Sequence, residues 1–359
     1  MSLSLIKVGL VGIGAQMQEN LLPSLLQMQD IRIVAACDSD LERARRVHRF
    51  ISDIPVLDNV PAMLNQVPLD AVVMAGPPQL HFEMGLLAMS KGVNVFVEKP
   101  PCATLEELET LIDAARRSDV VSGVGMNFKF ARPVRQLREM TQVDEFGETL
   151  HIQLNHYANK PRAPLWGLDS TLRSFLLAQA IHTIDLAITF GDGELRRVQS
   201  SVQRHDDALI VRADMAFSSG ATASLLAGTS FPYFEFDMKL VSSSSTLVEL
   251  DNLWNITLHE PEHATRPTGA AKRWRGAWQP GPLDSGYERS GYHGELHQFF
   301  QAIREHRRFE ADFASLLPTY RVIEEICSAD AVAQGLQNAH SRIRTGIESL
   351  SEGHHHHHH

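Results

Sequence analysis

Short continuous apolar runs and amphipathic stretches alternate over the first third of the chain. Lys7 to Val11, Ile31 to Ala36, Ala71 to Ala75, Asn94 to Val97 and Val120 to Val124 are dominated by Val, Ile, Ala and Phe, and turn residues bound them. Runs this short read as strands buried on both faces, and strands separated by helical patterns read as βαβ units with right-handed crossovers. Between the last two, Thr104 and Glu107 form a capping box ahead of Leu108, Leu111, Ile112 and Ala115, which recur at helical spacing. Residues 4–125 are therefore expected to form an α/β domain with a doubly wound parallel sheet, a Rossmann-type arrangement.

Beyond Asn127 the period changes. Val211, Ala213, Met215 and Phe217 alternate with Arg212, Asp214 and Ala216, and Ser218-Ser219-Gly220 then turns the chain into another strand-like run. A second hairpin joins Thr246–Leu250 to Leu253–Leu258 through Asp251-Asn252. A helix over Leu172 to Phe190 would face inward through Leu177, Ile181, Ile184 and Ile188, and helices near Tyr292–Glu305 and Leu316–Gln334 close the chain. Pro261 to Gly291, rich in Gly, Pro, Arg and Trp, reads as a long loop. Residues 126–351 are thus expected to be an α+β domain with a largely antiparallel open sheet. Residues 352–359, Glu-Gly and six histidines, read as an expression tag, and Met1-Ser2-Leu3 as a vector scar.

A formal charge of −10 offers no basic field for nucleic acid or an anionic membrane. No apolar run is long enough to span a bilayer, and Leu5 to Ile13 has neither a cationic leader nor a cleavage site. Cys37, Cys102 and Cys327 lie far apart, in no metal-like spacing. His151 and His156 point to opposite faces of one strand, so no metal is expected. These features predict a cytoplasmic protein.

Two places concentrate chemistry. Gly12-Ile13-Gly14 follows the first strand and precedes a helix, where glycines let a pyrophosphate approach backbone N–H groups and the positive end of the helix dipole. Met17 stands where the fingerprint wants a small residue, so the helix must sit further out or the phosphate loop must differ. Asp38 ends the second strand 24 residues beyond Gly14, close to the roughly 20-residue spacing at which an acid binds the adenosine ribose. Its charge would repel a 2′-phosphate and favours NAD, while Arg43 and Arg45 nearby leave NADP open. The second place is Glu98-Lys99-Pro100-Pro101: a charged pair where strand Asn94–Val97 ends and proline stops its continuing, in the crevice where open sheets bind ligands.

These pieces together resemble the Gfo/Idh/MocA family of NAD(P)-dependent oxidoreductases, over nearly the whole chain. The resemblance rests on Gly12-Ile13-Gly14 with Pro23, Gly76-Pro77-Pro78-Gln79-Leu80-His81, Val97-Glu98-Lys99-Pro100, Asn127-Phe128-Lys129-Phe130 and His182-Thr183-Ile184-Asp185. It implies hydride transfer between nicotinamide and a hydroxyl-bearing carbon, usually of a sugar or polyol. It also implies a homodimer or homotetramer joined through the second sheet. Carried over by position, Lys99 hydrogen-bonds the reacting oxygen and His182 is the acid–base catalyst; Pro78, His81 and Glu98 fall where relatives approach the nicotinamide end.

One position departs from the family. Relatives carry an aspartate one helical turn before the histidine, and here that position is Ala178. Two further readings are therefore kept open: a non-catalytic dinucleotide- or sugar-sensing protein of the same fold, and an NAD-dependent glycosidase. Tyr157 and Trp166, within a polar and aromatic segment, are substrate candidates, with an ordinary loop as the alternative. Asp185 is a third, with helix electrostatics as the alternative. Lys272, Arg273, Trp274, Arg275 and Trp278 read as a solvated basic loop.

Overall fold

A computed structural model describes residues 4–261, 273–282, 286 and 290–356. The first sheet contains β1 (Ile6–Val11), β2 (Ile31–Cys37), β3 (Val56–Leu57), β4 (Ala71–Met74), β5 (Asn94–Val97) and β6 (Ser122–Val124). Its order is β3-β2-β1-β4-β5-β6, all parallel. The β4 run Ala-Val-Val-Met is wholly buried, as a strand covered by helices on both faces requires. The order reverses between β1 and β4, and the crevice beyond their carboxyl ends lies beside Gly12 and Ala75.

The second sheet holds β7 (Thr149–Tyr157), β8 (Leu195–His205), β9 (Ala208–Phe217), β10 (Thr222–Gly228), β11 (Glu235–Ser242), β12 (Leu247–Asp251), β13 (Asn255–Pro261) and β14 (Arg273–Trp278). Its order is β14-β13-β12-β11-β7-β10-β9-β8, antiparallel except for the parallel pair β7 and β10. Burial alternates along β9 and β7, so one face packs on helices while the other, with Gln153, Arg212 and Asp214, is open. Both expected hairpins form. The segment expected to be a single loop, Pro261 to Gly291, instead contains β14, which pairs with β13 from Ile256↔Trp278 to Pro261↔Arg273. Backbone pairing to a free sheet edge outweighs the local Gly and Arg content there. Lys272 lies outside the described residues.

The predicted Leu172–Phe190 helix runs as Thr171–Phe175, a π-helical turn at Leu176–Ala180, and Ile181–Phe190. The final helix, Leu317–His356, extends well past Gln334 into the histidine run, and its described side chains are exposed from Ala331 onward. Its first turns brace the loop that leaves β5. Tyr320 donates to the Cys102 carbonyl at 2.7 Å, while Glu324 accepts from Leu105 N and pairs with both Nη atoms of Arg173 at 2.7 and 2.9 Å. One contiguous apolar core runs through both sheets. Among the described residues no helix is long and apolar enough to cross a membrane.

At the crevice, Gly12 adopts φ +84° and a Cβ there would run into the Ala75 carbonyl oxygen. Gly12→Ala is expected to cost roughly 2–4 kcal/mol, from left-handed strain plus a backbone clash. Thermal or denaturant unfolding against the parent chain measures it, and an unchanged midpoint would contradict this packing.

Candidate active site

The β1–helix turn, the β5 exit loop and the π-helical turn of the second domain meet around one cavity of about 520 Å³. The glycine loop forms one wall with Gly14, Ala15 and Gln16, joined by Ala75 and Gly76. A Cβ at Gly14 would meet nothing within 4 Å, so the turn is open to an approaching group at that residue. Met17, also on the cavity, begins a π-helical turn, Met17–Leu21. The wider turn accommodates the side chain that the glycine fingerprint does not provide for.

Asp38 is buried at the β2 end, and its Oδ2 accepts from Ile13 N at 2.9 Å, so the acid holds the glycine loop. Arg43 grips both carboxylate oxygens, Nε to Oδ2 at 2.9 Å and Nη2 to Oδ1 at 2.8 Å, and Asp40 N donates to Oδ1. Burial pushes the Asp38 carboxyl up, but these hydrogen bonds and the Arg43 charge outweigh it and hold the group below its ordinary value. A ribose reaching Asp38 has to share it with the guanidinium.

Lys99 lines the opposite wall, with Nζ 2.5 Å from the Ala178 carbonyl. The Ala178 carbonyl belongs to the π-helical turn Leu176–Ala180, so this bond ties the loop leaving β5 to a helix of the second domain. Burial lowers the Lys99 pKa, and the Glu98 charge partly offsets that. Glu98 is pushed up to about 7 by burial, against Lys99 and a hydrogen bond from Gln16. Gln16 also bonds Tyr292, so the glycine loop, the β5 end and the Tyr292–Arg304 helix are linked.

His182 is buried on the same cavity and stacks on Phe128 with centroids 4.2 Å apart and planes 6° from parallel. Its Nδ1 has no hydrogen-bond partner among the described residues. Burial, then the Lys99, His156 and Lys129 charges, hold it well below the usual histidine range, so it is neutral and able to accept a proton. His156, from the inward face of β7, is a second neutral histidine on this wall, lowered to about 4 by burial.

Other predicted residues lie elsewhere. His81 is fully buried outside the cavity lining: Nε2 faces Gly76 N at 2.9 Å and Nδ1 faces the Pro100 carbonyl at 2.9 Å. With both nitrogens engaged it ties the β4 and β5 loops together and has no atom left for a cofactor. Pro78 is buried as the first residue of the Pro78–Ser90 helix. Asp185 pairs with buried Lys129 at 3.3 Å and accepts from Thr319, beneath the site. Tyr157 stacks on Phe231 at 4.1 Å, and the Trp166 carbonyl accepts from Gln79, both away from the cavity lining. His156 and Tyr292 line the cavity, and so do Gln16, Asn127, Phe128, Gln179 and Phe234, which were not singled out as site residues. The inward alternation of β7 marks His156, but no sequence pattern marks the π-helical turn that presents Gln179.

The model of the oxidoreductase family with an NAD-binding Rossmann fold matches residues 6–126, and that of the GFO/IDH/MocA C-terminal domain matches residues 134–247. The chain belongs to the Gfo/Idh/MocA family. Among relatives, D-glucoside 3-dehydrogenase of Escherichia coli (strain K12) is 28% identical over 192 residues, 52% of this chain and 54% of that protein. A 1-carboxy-3-chloro-3,4-dihydroxycyclohexa-1,5-diene dehydrogenase of Comamonas testosteroni is 26% identical, covering 59% of this chain and 54% of that protein. The chain thus spans about half the length of these curated relatives. A crystal structure of a dehydrogenase from Chromobacterium violaceum is 99% identical with a TM-score of 0.93, over 95% of this chain and all of that one. Levoglucosan dehydrogenase with NADH and levoglucosan has the same fold, with a TM-score of 0.77 at 19% identity over 91% of this chain and 98% of that one. Gly12, Gly14 and Asp38 accordingly lie in an NAD-binding Rossmann domain.

The His81 staple has an acid limit. Its Nε2 accepts from Gly76 N–H only when neutral, and burial holds the folded pKa near 4 against an ordinary 6.5. A depressed base contributes stability that is whole above pH 6.5 and is lost as pH falls from there toward 4. His81→Gln is expected to cost about 1–3 kcal/mol at pH 8. Its melting temperature should then fall less steeply between pH 6.5 and 4 than the parent's, as differential scanning calorimetry would show.

Proposed function

We propose that this protein is an NAD-linked dehydrogenase that oxidises a secondary hydroxyl of an uncharged sugar or polyol, or reduces the corresponding ketone. The observation that carries the reading is the convergence of Lys99 and His182 on the one cavity that also holds the glycine loop. Bound nicotinamide would supply the acceptor for the hydride. The chain's own residues do the rest. Lys99 donates a hydrogen bond to the reacting oxygen and stabilises negative charge as it develops there. His182, neutral in its buried setting, takes the hydroxyl proton as the C–H bond breaks and the carbonyl forms; in reduction it returns that proton. Phe128 holds the imidazole ring by stacking.

The absence of an aspartate at Ala178 does not leave Lys99 unpartnered, because the Ala178 carbonyl holds it. That favours the catalytic reading over a sensor that only binds. Arg43 makes the cofactor preference less one-sided than Asp38 alone implies: by neutralising Asp38 it leaves room for a 2′-phosphate, so NAD is the preferred cofactor and NADP a tolerated one. The open face of the second sheet supports assembly as a homodimer or homotetramer.

Lys99→Ala should keep NADH affinity within about 3-fold and lower kcat by at least about 100-fold, since it removes a contact made to the developing oxyanion. Stopped-flow or steady-state NADH absorbance with any accepted polyol measures this, and unchanged turnover would remove Lys99 from the mechanism. Arg43→Ala should leave NAD binding intact or tighter. It should also raise the ratio of NADP to NAD dissociation constants by about 10-fold, because a bare carboxylate then faces the 2′-phosphate. Fluorescence titration of both reduced cofactors decides it.

A further inference from the structure

Beside the Lys99 contact, the π-helical turn presents a second polar group to the cavity. Gln179 follows Ala178 directly, lines the cavity and is partly exposed to it. Its carboxamide is held from behind by a chain of hydrogen bonds. Nε2 donates to the Lys160 carbonyl at 3.4 Å, and Oε1 lies 3.2 Å from His156 Nε2. His156 Nδ1 lies 2.6 Å from the hydroxyl of Thr183, which is fully buried. With the amide in this orientation, His156 carries its proton on Nε2 and Thr183 donates to Nδ1, so each group in the chain has one assigned role. His156 is buried and edge-on to Phe175 and Phe234, at 6.3 and 5.3 Å, which holds the ring in place.

Each end of the Gln179 amide therefore has one site left over: a second N–H on Nε2 and a second lone pair on Oε1. A donor and an acceptor held side by side in one plane match two hydroxyls on adjacent carbons, one accepting and one donating. Because Ala178 and Gln179 are consecutive, that pair would lie close to the oxygen held by Lys99. Phe128 and Phe234 supply apolar surface on the same cavity for the C–H face of a ring. His156 is neutral in its buried setting, so the group that holds the amide from behind carries no charge.

We infer that Gln179, positioned by His156 and Thr183, is a specificity-determining residue that reads two vicinal hydroxyls beside the reacting carbon. This rests on the dehydrogenase reading above but can fail separately from it. The experiment pairs the full-length chain and its Gln179→Leu variant with methyl β-D-glucopyranoside and its 2-, 3-, 4- and 6-deoxy counterparts. It follows NAD reduction and, in parallel, sugar binding to the NADH-loaded protein by calorimetry. In the parent, loss of one or two ring hydroxyls should cost about 10- to 100-fold in kcat/KM and in affinity. Gln179→Leu should lose a similar factor on the intact glycoside and should then be indifferent to those same deletions, with its NADH affinity unchanged. His156→Phe, if folded, should blunt the same hydroxyl dependence, because the amide is no longer held. Glycoside oxidation with equal deoxy penalties in parent and Gln179→Leu overturns the inference and leaves the dehydrogenase reading standing. Hydroxyl-dependent binding that is lost in Gln179→Leu, without NAD reduction, supports the inference and overturns the dehydrogenase reading. Neither binding nor oxidation of any glycoside overturns both.

Discussion

A buried ammonium must be hydrogen-bonded or lose its proton, and the Lys99 contact to the Ala178 carbonyl is where this protein meets that constraint. The lysine comes from the end of a parallel strand and the carbonyl from a helix of the other domain, so the bond forms only where the two sheets are docked. The docking itself is fixed from behind. Tyr320 and Glu324 of the last helix hold the loop leaving β5 through Cys102 and Leu105, and Arg173 joins Glu324 to the helix that carries Ala178. A regular α-helix through residues 176–180 would spend its carbonyls on its own ladder. The π-helical turn there presents the Ala178 carbonyl to Lys99.

The charges beneath the site follow the same rule. Lys129 and Asp185 pair inside the protein, with Thr319 on the carboxylate, directly behind the helix of His182. Glu295, fully buried and without a hydrogen-bond partner for either oxygen among the described residues, is pushed well above the carboxylate range, first by burial and then by Glu98. Burial and a like charge both favour the protonated form of that carboxyl. Glu98 then remains the acidic neighbour of Lys99, itself raised to about 7, and its ionisation sets how cationic the lysine is. The lysine, the glutamate and the neutral histidine thus obtain their proton affinities from one shared exclusion of water.

Much of this was legible in the chain. The strands of the first sheet follow from apolar runs with glycine and proline at their ends, because a strand buried on both faces has little freedom of composition. Lys99 was legible because proline ends β5 at the mouth of a sheet, and Gly12, Gly14 and Asp38 because backbone approach to a phosphate restricts residue type. His81 and Asp185 turn away from the cavity. Both belong to recognisable motifs, yet the structure uses them as a loop staple and an ion-pair partner, since a sequence pattern reports a residue's neighbourhood and not which side of the wall it faces. β14 was missed because pairing to a sheet edge depends on a distant strand, and Gln179 because a π-helical turn has no composition of its own.

The substitution at residue 178 changes the chemistry available to Lys99 more than its position. A carboxylate there would add a full negative charge beside the ammonium and raise its proton affinity, making it a fixed cation. A carbonyl supplies the hydrogen bond through a dipole alone, and burial then keeps the lysine's proton more acidic, with Glu98 as the opposing charge. A more acidic donor forms a stronger hydrogen bond to an oxygen gaining negative charge. The next residue along the turn, Gln179, brings a neutral amide already held by His156 to the same cavity. Two adjacent residues of one turn thus serve the cavity differently: the Ala178 carbonyl holds the lysine, and the Gln179 amide, held by His156, lines the wall beside it.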